Sequence, residues 1–392
     1  MNLKRVVVAG HICLDVIPDL AHLPAGQFEQ LFQPGHLISV GEATFSTGGP
    51  VSNVGLALHQ LGIPTQLIAK IGDDPFGRAI CRIIQEIDPN LLGGLGTDGS
   101  APTSYSIIVN PPGIDRIFLH CPGVNDLFCV EDINSGLLQN SDLLHFGYPP
   151  IMKRMYQNEG DELVEIFQRT KEIGVTTSLD MAFPDPASEG GRADWNLILR
   201  KTLPFVDIFS PSIEEILFLL HRNRYERLVT GQGDLLNTIT PDLLTDLSNE
   251  LLEMGTKIVV FKLGHKGLYL RTGDVDLFAN MGKAAPVDIN TWAQCELWTP
   301  CFSVDVVGTT GAGDATIAGF LSALLRDLPP KKAITAAVAV GACNVEGADA
   351  LSGLCSWEET LLRIDRGWEK CPLEIEHPRW KWSEVNKLWS AI

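Results

Sequence analysis

From residue 142 onward the chain repeats one rhythm, a short apolar run followed by a stretch with helical spacing and then another apolar run. DLLHFGY (142–148) reads as a strand, DELVEIFQRTKEIG (161–174) as a helix closed by Gly174, and VTTSLDM (175–181) as the next strand. DIFSPS, IEEILFLLH, PDLLTDLSNELLEMG and KIVVFKLG continue it as strand, helix, helix and strand. Alternation of this kind predicts an α/β fold in three layers, a mostly parallel central sheet flanked by helices on both faces. Ligands in such sheets gather at the carboxyl ends of the strands. Near the start, the run Val6 to Ala9 fits a first buried strand better than a secretion signal, because it is short and no small-residue cleavage site follows a proper hydrophobic stretch.

Two stretches break the rhythm. Residues 12–47 and 101–121 hold turn residues and short β-prone runs such as SYSIIVN and RIFLHC, which reads as a small β lid inserted in one domain spanning 1–392. No Pro/Gly/Ser linker and no repeat divides the chain. The segment 351–392 carries five of the eight tryptophans, Trp357, Trp368, Trp380, Trp382 and Trp389. It is expected to dock on the core; a self-association surface, giving a homodimer, is the other reading of those rings.

Charge narrows the partners. With a formal net charge of −18 and a pI near 4.9, binding to nucleic acid or to an anionic membrane is not expected, since both reward clustered Lys and Arg. No apolar run approaches the ~18 residues needed to span a bilayer. Nine cysteines without a C-x-x-C pair, in a chain 45 % hydrophobic, fit reduced thiols in a cytoplasmic protein.

Three glycine-rich sites carry possible chemistry. GTTGAGDATIAGFL (308–321) sets Gly311, Ala312, Gly313 and Asp314 in the first turn of a helix read from Ala315, Ile317, Ala318, Phe320, Leu321 and Leu324. Backbone N–H groups there have no helical partner and suit a phosphate or a developing anion, while Asp314 beside them suits a general base. An acid at that place can also simply favour the helix dipole. STGGPVSNVGLALHQLG (46–62) places Gly48 and Gly49 before a helix with Asn53 in its first turns, either as a polar grip on a ligand or as part of a helix start. KLGHKGLYL (262–270) sets Gly264 and Gly267 between strands, where a hairpin turn is the plainer reading.

The order of these sites resembles the PfkB, or ribokinase-like, family over nearly the whole chain. GGPVSN is similar to the family's early Gly-Gly-x-x-x-Asn signature, KIGDDPFG (70–77) to its Gly-Asp-x-x-Gly segment, and HCPGVND (120–126) to a His-x-Pro-Gly-Ala-Asn stretch. LPFVDIFSPSIEEI resembles the strand leading to Asn-x-x-Glu, and GTTGAGD the late Asp-Thr-x-Gly-Ala-Gly-Asp signature. AGHICLD places Asp15 where the family grips substrate hydroxyls. The resemblance implies a ribokinase-like fold and an ATP-dependent kinase of a sugar hydroxyl.

By position it implies Asp314 as base and Gly311, Ala312 and Gly313 as anion hole. Asp15, Gly48, Gly49 and Asn53 would hold the acceptor. Ser212, Lys262, Gly264, Gly267 and Thr309 would lie near the nucleotide, and Glu215 would organise Mg²⁺ through its waters. Three departures stand out: Ser212 replaces the Asn of Asn-x-x-Glu, Gly308 replaces the first Asp of the late signature with Asp305 three residues too early to substitute, and LDMAFPD keeps Asp180 without the usual Asn two residues later. A nucleoside kinase and a catalytically idle ligand-binding homologue are the alternatives. A dinucleotide-binding oxidoreductase is disfavoured, because only Gly10 follows the first strand.

Overall fold

The computed structural model describes residues 3–24, 33–112, 116–230 and 234–392. Residues 25–32 and 113–115, which fall within the two expected lid segments, lie outside the described residues. Among the described residues the strands in chain order are β1 (Val6–Gly10), β2 (Cys13–Pro18), β3 (Ala43–Gly48), β4 (Thr65–Gly72), β5 (Leu95–Asp98), β6 (Tyr105–Val109), β7 (Ile117–Cys121), β8 (Leu143–Gly147), β9 (Thr176–Asp180), β10 (Ile208–Phe209), β11 (Ile258–Lys262), β12 (Leu268–Thr272), β13 (Glu296–Thr299), β14 (Trp380–Ser383) and β15 (Leu388–Ala391).

Eleven of these form the central sheet, in the order β14-β15-β13-β12-β11-β10-β9-β8-β1-β4-β5. From β5 to β11 every neighbouring pair is parallel. β1 is wholly buried, and its side chains alternate between two cores: Val6 and Val8 face one, Val7 and Ala9 the other. Burial on both faces is why such strands read as unbroken apolar runs. The first core is closed by helices Pro50–Gln60, Ala312–Leu325 and Pro330–Val345. The second is closed by Asp161–Glu172, Ile213–Leu220 and Pro241–Glu253.

Beyond β11 the sheet changes direction, and its last four strands pair antiparallel. The cause is local: only the short Leu263–Gly267 turn joins β11 to β12, too little chain for the crossover a parallel partner needs. Gly267 has φ of 91°, and a Cβ on it would stand 2.0 Å from the Thr299 carbonyl, so the turn requires glycine. The hairpin expected for KLGHKGLYL is therefore present, although its glycines also face a cavity described below. The tryptophan-rich segment supplies β14 and β15 to the same edge, where buried Trp380 packs against Tyr269 and Trp298 at centroid distances of 6.2 and 6.3 Å.

β3-β2-β6-β7 form a second, four-stranded sheet. Only His11 and Ile12 separate β1 from β2. The small sheet thus starts directly from the carboxyl end of a central strand.

Candidate active site

The long helix Ala312–Leu325 is buried almost all round, so its start is fixed rigidly in the molecule. Gly311 caps it in the left-handed conformation (φ 73°) without a side-chain cap bond, and a Cβ there would lie 2.6 Å from that of Ala350. The Ala312 N–H closes a turn on the Thr309 carbonyl at 3.3 Å, and the Ala315 N–H bonds the Gly311 carbonyl at 2.7 Å. The N–H groups of Gly313 and Asp314 are left without helical acceptors. Of the three residues expected to hold an anion, only Ala312 has its N–H engaged in this turn, and the Asp314 N–H stands beside that of Gly313 as a further donor.

Asp314 is buried. Its carboxylate accepts from Asn53 Nδ2 at 2.8 Å and, on both oxygens, from the Tyr148 hydroxyl at 3.0 Å. Burial raises its pKa, while Lys262, Asn53 and Tyr148 pull it back down. A carboxyl held that way sits closer to neutral pH than a solvated aspartate, as a general base requires. Tyr148 follows β8 with φ of 67°, an uncommon conformation for a bulky residue, and two prolines after it start a short 3₁₀ turn. The strained backbone aims its hydroxyl at Asp314.

Behind Asp314 lies a buried charge cluster. Lys262 Nζ, at the end of β11, is 2.6 Å from Asp180 Oδ1 at the end of β9 and 4.0 Å from Glu215 Oε2. Burial pushes Asp180, Glu215 and Asp314 upward, with repulsion from neighbouring carboxylates adding to it at Asp180 and Glu215, and the carboxylates push Lys262 upward in turn, so the ammonium is the group that keeps its proton. Asp180 Oδ2 has no partner. Ser212 caps Ile213–Leu220 in a reciprocal box: Glu215 N–H bonds Ser212 Oγ at 3.2 Å and Ser212 N–H bonds Glu215 Oε2 at 2.6 Å. The Glu215 carboxylate is therefore held by the backbone N–H of residue 212, while the serine hydroxyl caps the helix.

Two adjoining cavities open from this cluster. One, of about 310 Å³, is lined by Tyr148, Ser212, Glu215, Lys262, Gly264, Thr309 and Gly311–Asp314. The other, about 840 Å³, has Gly264, Gly267, Thr309 and Gly313 along with apolar Phe302, Val304, Val306, Val338 and Val345. Arg116, just before β7, reaches over from the small sheet and donates to the hydroxyls of Thr310 and, at 2.9 Å, Thr309. Gly308 has no room for the carboxylate it replaces, since a Cβ there would meet the carbonyls of Gly347 and Ala348 at 2.9 and 3.0 Å.

Asp15, Gly48, Gly49 and Asn53 lie on the opposite side of Asp314. Strand register sets Ser46, Asp15, Ser106 and His120 in one row across the small sheet. Ser106 Oγ and His120 Nδ1 are 3.0 Å apart, and His120 Nε2 is 3.3 Å from Nε2 of buried His11. Burial raises the Asp15 carboxyl to about 6, against hydrogen bonds from Cys13 and Ser106 that lower it. A Cβ on Gly48 would stand 2.3 Å from Asp15 Oδ2, and one on Gly49 2.5 Å from His11 Nδ1, so both glycines exist to let these groups approach. His11 Nδ1 and Asn53 Oδ1 are buried without partners among the described residues. Asn125, in the HCPGVND stretch, instead clamps the Ile12 backbone, with Nδ2 donating to the carbonyl at 2.8 Å.

The site thus joins Asp314, Asn53, Lys262, Glu215 and the helix start. It adds Tyr148, Asp180, His11, Ser106, His120 and Arg116, which the sequence reading gave no role. Asp180 and Tyr148 had one signal in sequence, a polar residue ending an apolar strand, and His11 and His120 lie inside the AGHICLD and HCPGVND segments; Arg116 had none, because its partners are remote in the chain.

The family model for "pfkB family carbohydrate kinase" matches residues 3–354. A sugar kinase of Archaeoglobus fulgidus is 28 % identical over 274 residues, 69 % of this chain and 87 % of that relative. An ATP-dependent ribose-1-phosphate kinase of Halopiger xanaduensis is 26 % identical over 346 residues, 88 % of this chain and 93 % of that one. In fold, the ribokinase of Arabidopsis thaliana complexed with ribose and ATP superposes with a TM-score of 0.66 at 18 % identity, covering 92 % of this chain and 98 % of the other. The chain belongs to the pfkB family of carbohydrate kinases, with a ribokinase fold.

Proposed function

We propose that the protein transfers the γ-phosphoryl group of ATP to a hydroxyl of a sugar or sugar-like molecule. The observation that carries this reading is Asp314 itself, a buried carboxylate oriented by Asn53 and Tyr148 beside the free N–H groups of a helix start. Asp314 takes the proton of the attacking hydroxyl while the Gly313 and Asp314 N–H groups hold the charge that develops on the transferring group. The larger, partly apolar cavity suits the nucleotide base and the smaller one the polyphosphate, next to Lys262. The relatives' printed functions, a ribose-1-phosphate kinase that is ATP-dependent and a ribokinase that binds ribose and ATP, support it. The hydrophilic row Ser46, Asp15, Ser106 and His120 favours a polyhydroxylated acceptor over a nucleoside, which would call for a flat apolar slot.

Mg²⁺ fits the donor set. Three carboxyl groups face a single ammonium, and Asp180 Oδ2 is orphaned. Among the described residues no three His, Cys, Asp or Glu side chains are arranged to grip a metal directly. Glu215 and Asp180 would therefore hold Mg²⁺ through its waters, and the ion would supply countercharge to the β- and γ-phosphates. The small sheet acts as a lid, with Arg116 tying it to Thr309 and Thr310 and so excluding water. Among the described residues no helix is long and apolar enough to cross a membrane. The decisive experiment is mass-spectrometric detection of phosphorylated product from a sugar panel with ATP and Mg²⁺; ATP binding without any product would leave the idle-homologue reading.

A further inference from the structure

We infer that the acceptor is an uncharged molecule, one that carries no phosphate or carboxylate of its own. The inference rests on the kinase reading above and narrows it to one class of substrate. Its first observation is in the chain: no Lys or Arg occurs between Arg5 and Lys70, and Arg116 is the sole one between Arg82 and Lys153. These two stretches build β1 to β3, most of β4, and β5 to β8, and so the whole small sheet and the acceptor side of the cleft.

The basic residues that border them are engaged elsewhere. Lys70 pairs with Asp132 at 2.9 Å, Arg82 with Glu86 at 3.0 Å and Lys153 with Glu189 at 3.4 Å, and across the cleft Lys262 pairs with Asp180 at 2.6 Å. Arg116 is bonded to Thr309 and Thr310, on the nucleotide side.

Two substitutes for a basic side chain are also weak. The helix starting at Pro50 lies beside Asp15, but Pro50 has no N–H, Val51 N–H bonds the His11 carbonyl at 3.2 Å and Asn53 N–H bonds the Gly49 carbonyl at 2.8 Å, so among the described residues only the Ser52 N–H of that turn is unengaged. His11 and His120 are linked nitrogen to nitrogen at 3.3 Å, which requires that one of them accept and remain neutral. What is left is one carboxylate, the Ser46 and Ser106 hydroxyls, the Asn53 amide and imidazole nitrogens, a set that reads hydroxyl groups and offers an anion no countercharge. A phosphorylated sugar would bury its charge against Asp15 with no cation to meet it.

The test compares matched pairs: ribose with ribose 1-phosphate and ribose 5-phosphate, and fructose with its 1- and 6-phosphates. Two readouts are taken, kcat/KM from product formation and thermal shift in the presence of a non-hydrolysable ATP analogue. The neutral member is expected to win by about 100-fold or more in kcat/KM, the scale of an uncompensated buried charge. Asp15→Asn should lower the rate with the neutral sugar and narrow that gap, because it removes both the hydroxyl acceptor and the repulsion. Equal or better use of a phosphorylated member overturns the inference. If no pair turns over, binding of the neutral members alone sustains it while the kinase reading falls; tighter binding of a phosphorylated member, or binding of neither, overturns it.

Discussion

The two walls that meet at Asp314 are made of different chemistry. On the nucleotide wall, charge is buried and paired: Lys262 stands 2.6 Å from Asp180 and 4.0 Å from Glu215 at the ends of parallel strands in the central sheet. On the acceptor wall no such pair exists among the described residues, and polar groups are joined by hydrogen bonds from Asp15 through Ser106 and His120 to His11. The rigid central sheet can hold expensive buried charges at fixed distance, whereas the small sheet offers a row of neutral donors and acceptors that becomes complete when its strands stand beside β1. On the proposed function, one wall would meet a polyphosphate and the other would bind hydroxyls.

Asp314, where the walls touch, is the place to break both at once. Asp314→Asn keeps the shape but removes the proton acceptor, so kcat should drop roughly 10² to 10⁴-fold with nucleotide affinity little changed. A rate close to that of the parent would return Asp314 to a dipole-favouring role.

Lys262→Ala attacks the nucleotide wall alone. It leaves Asp180 and Glu215 buried and unpaired, where side-chain exposures of 0 % and 13 % give water little access. Stability should fall by about 3–5 kcal/mol. Adding Asp180→Asn should recover part of that loss; denaturant unfolding of the single and double variants reads it.

Tyr148→Phe removes the hydroxyl that donates to both Asp314 oxygens. Loss of a hydrogen bond to a charged group predicts a fall of roughly tenfold in kcat. Because that bond lowers the Asp314 pKa, the acidic limb of the kcat–pH profile should also move to higher pH. A limb that stays in place would show that Tyr148 only packs.

The acceptor wall carries its own pH signature. Asp15 is raised from an ordinary aspartate value near 3.8 to about 6. Between those values the unfolded chain binds fewer protons than the folded one, so Asp15 makes stability decline as pH rises through this window. Acceptor binding runs the other way, since the ionised carboxylate accepts from a hydroxyl much more strongly than the protonated one. The acceptor kcat/KM should therefore fall several-fold as pH drops from 7 to 5.5 in wild type, and the Asp15→Asn variant should lack that limb.

The smallest effect is expected at the seam between the walls. Arg116→Gln weakens the tie from the small sheet to Thr309 and Thr310, and about a threefold rise in KM for ATP is predicted, the scale of one exposed contact. An unchanged KM would mean that the tie plays no part in nucleotide binding.

Much of this molecule is written locally. Unbroken apolar strands alternating with helices imply the sheet, and glycines before an acid at Gly311–Asp314 imply an anion site, because period and backbone freedom act over a few residues. Ser212 and Glu215, spaced Ser-x-x-Glu, also announce the capping box that forms. The antiparallel edge is partly legible too, since a turn as short as Leu263–Gly267 permits no crossover.

Other features have no local cause. Tyr148 meets Asp314 across 166 positions of sequence and Arg116 meets Thr309 across 193, so no pattern in either segment could reveal them. Gly308 reads in sequence as a bare loss of the late signature's first Asp, yet the carbonyls of Gly347 and Ala348 fill the space a side chain would need. Local sequence set which segments became strands, helices and phosphate-ready turns. Which side chains face one another was decided only when the strand order put the ends of β1, β8, β9 and β11 around one helix start, because burial and electrostatics depend on neighbours in space.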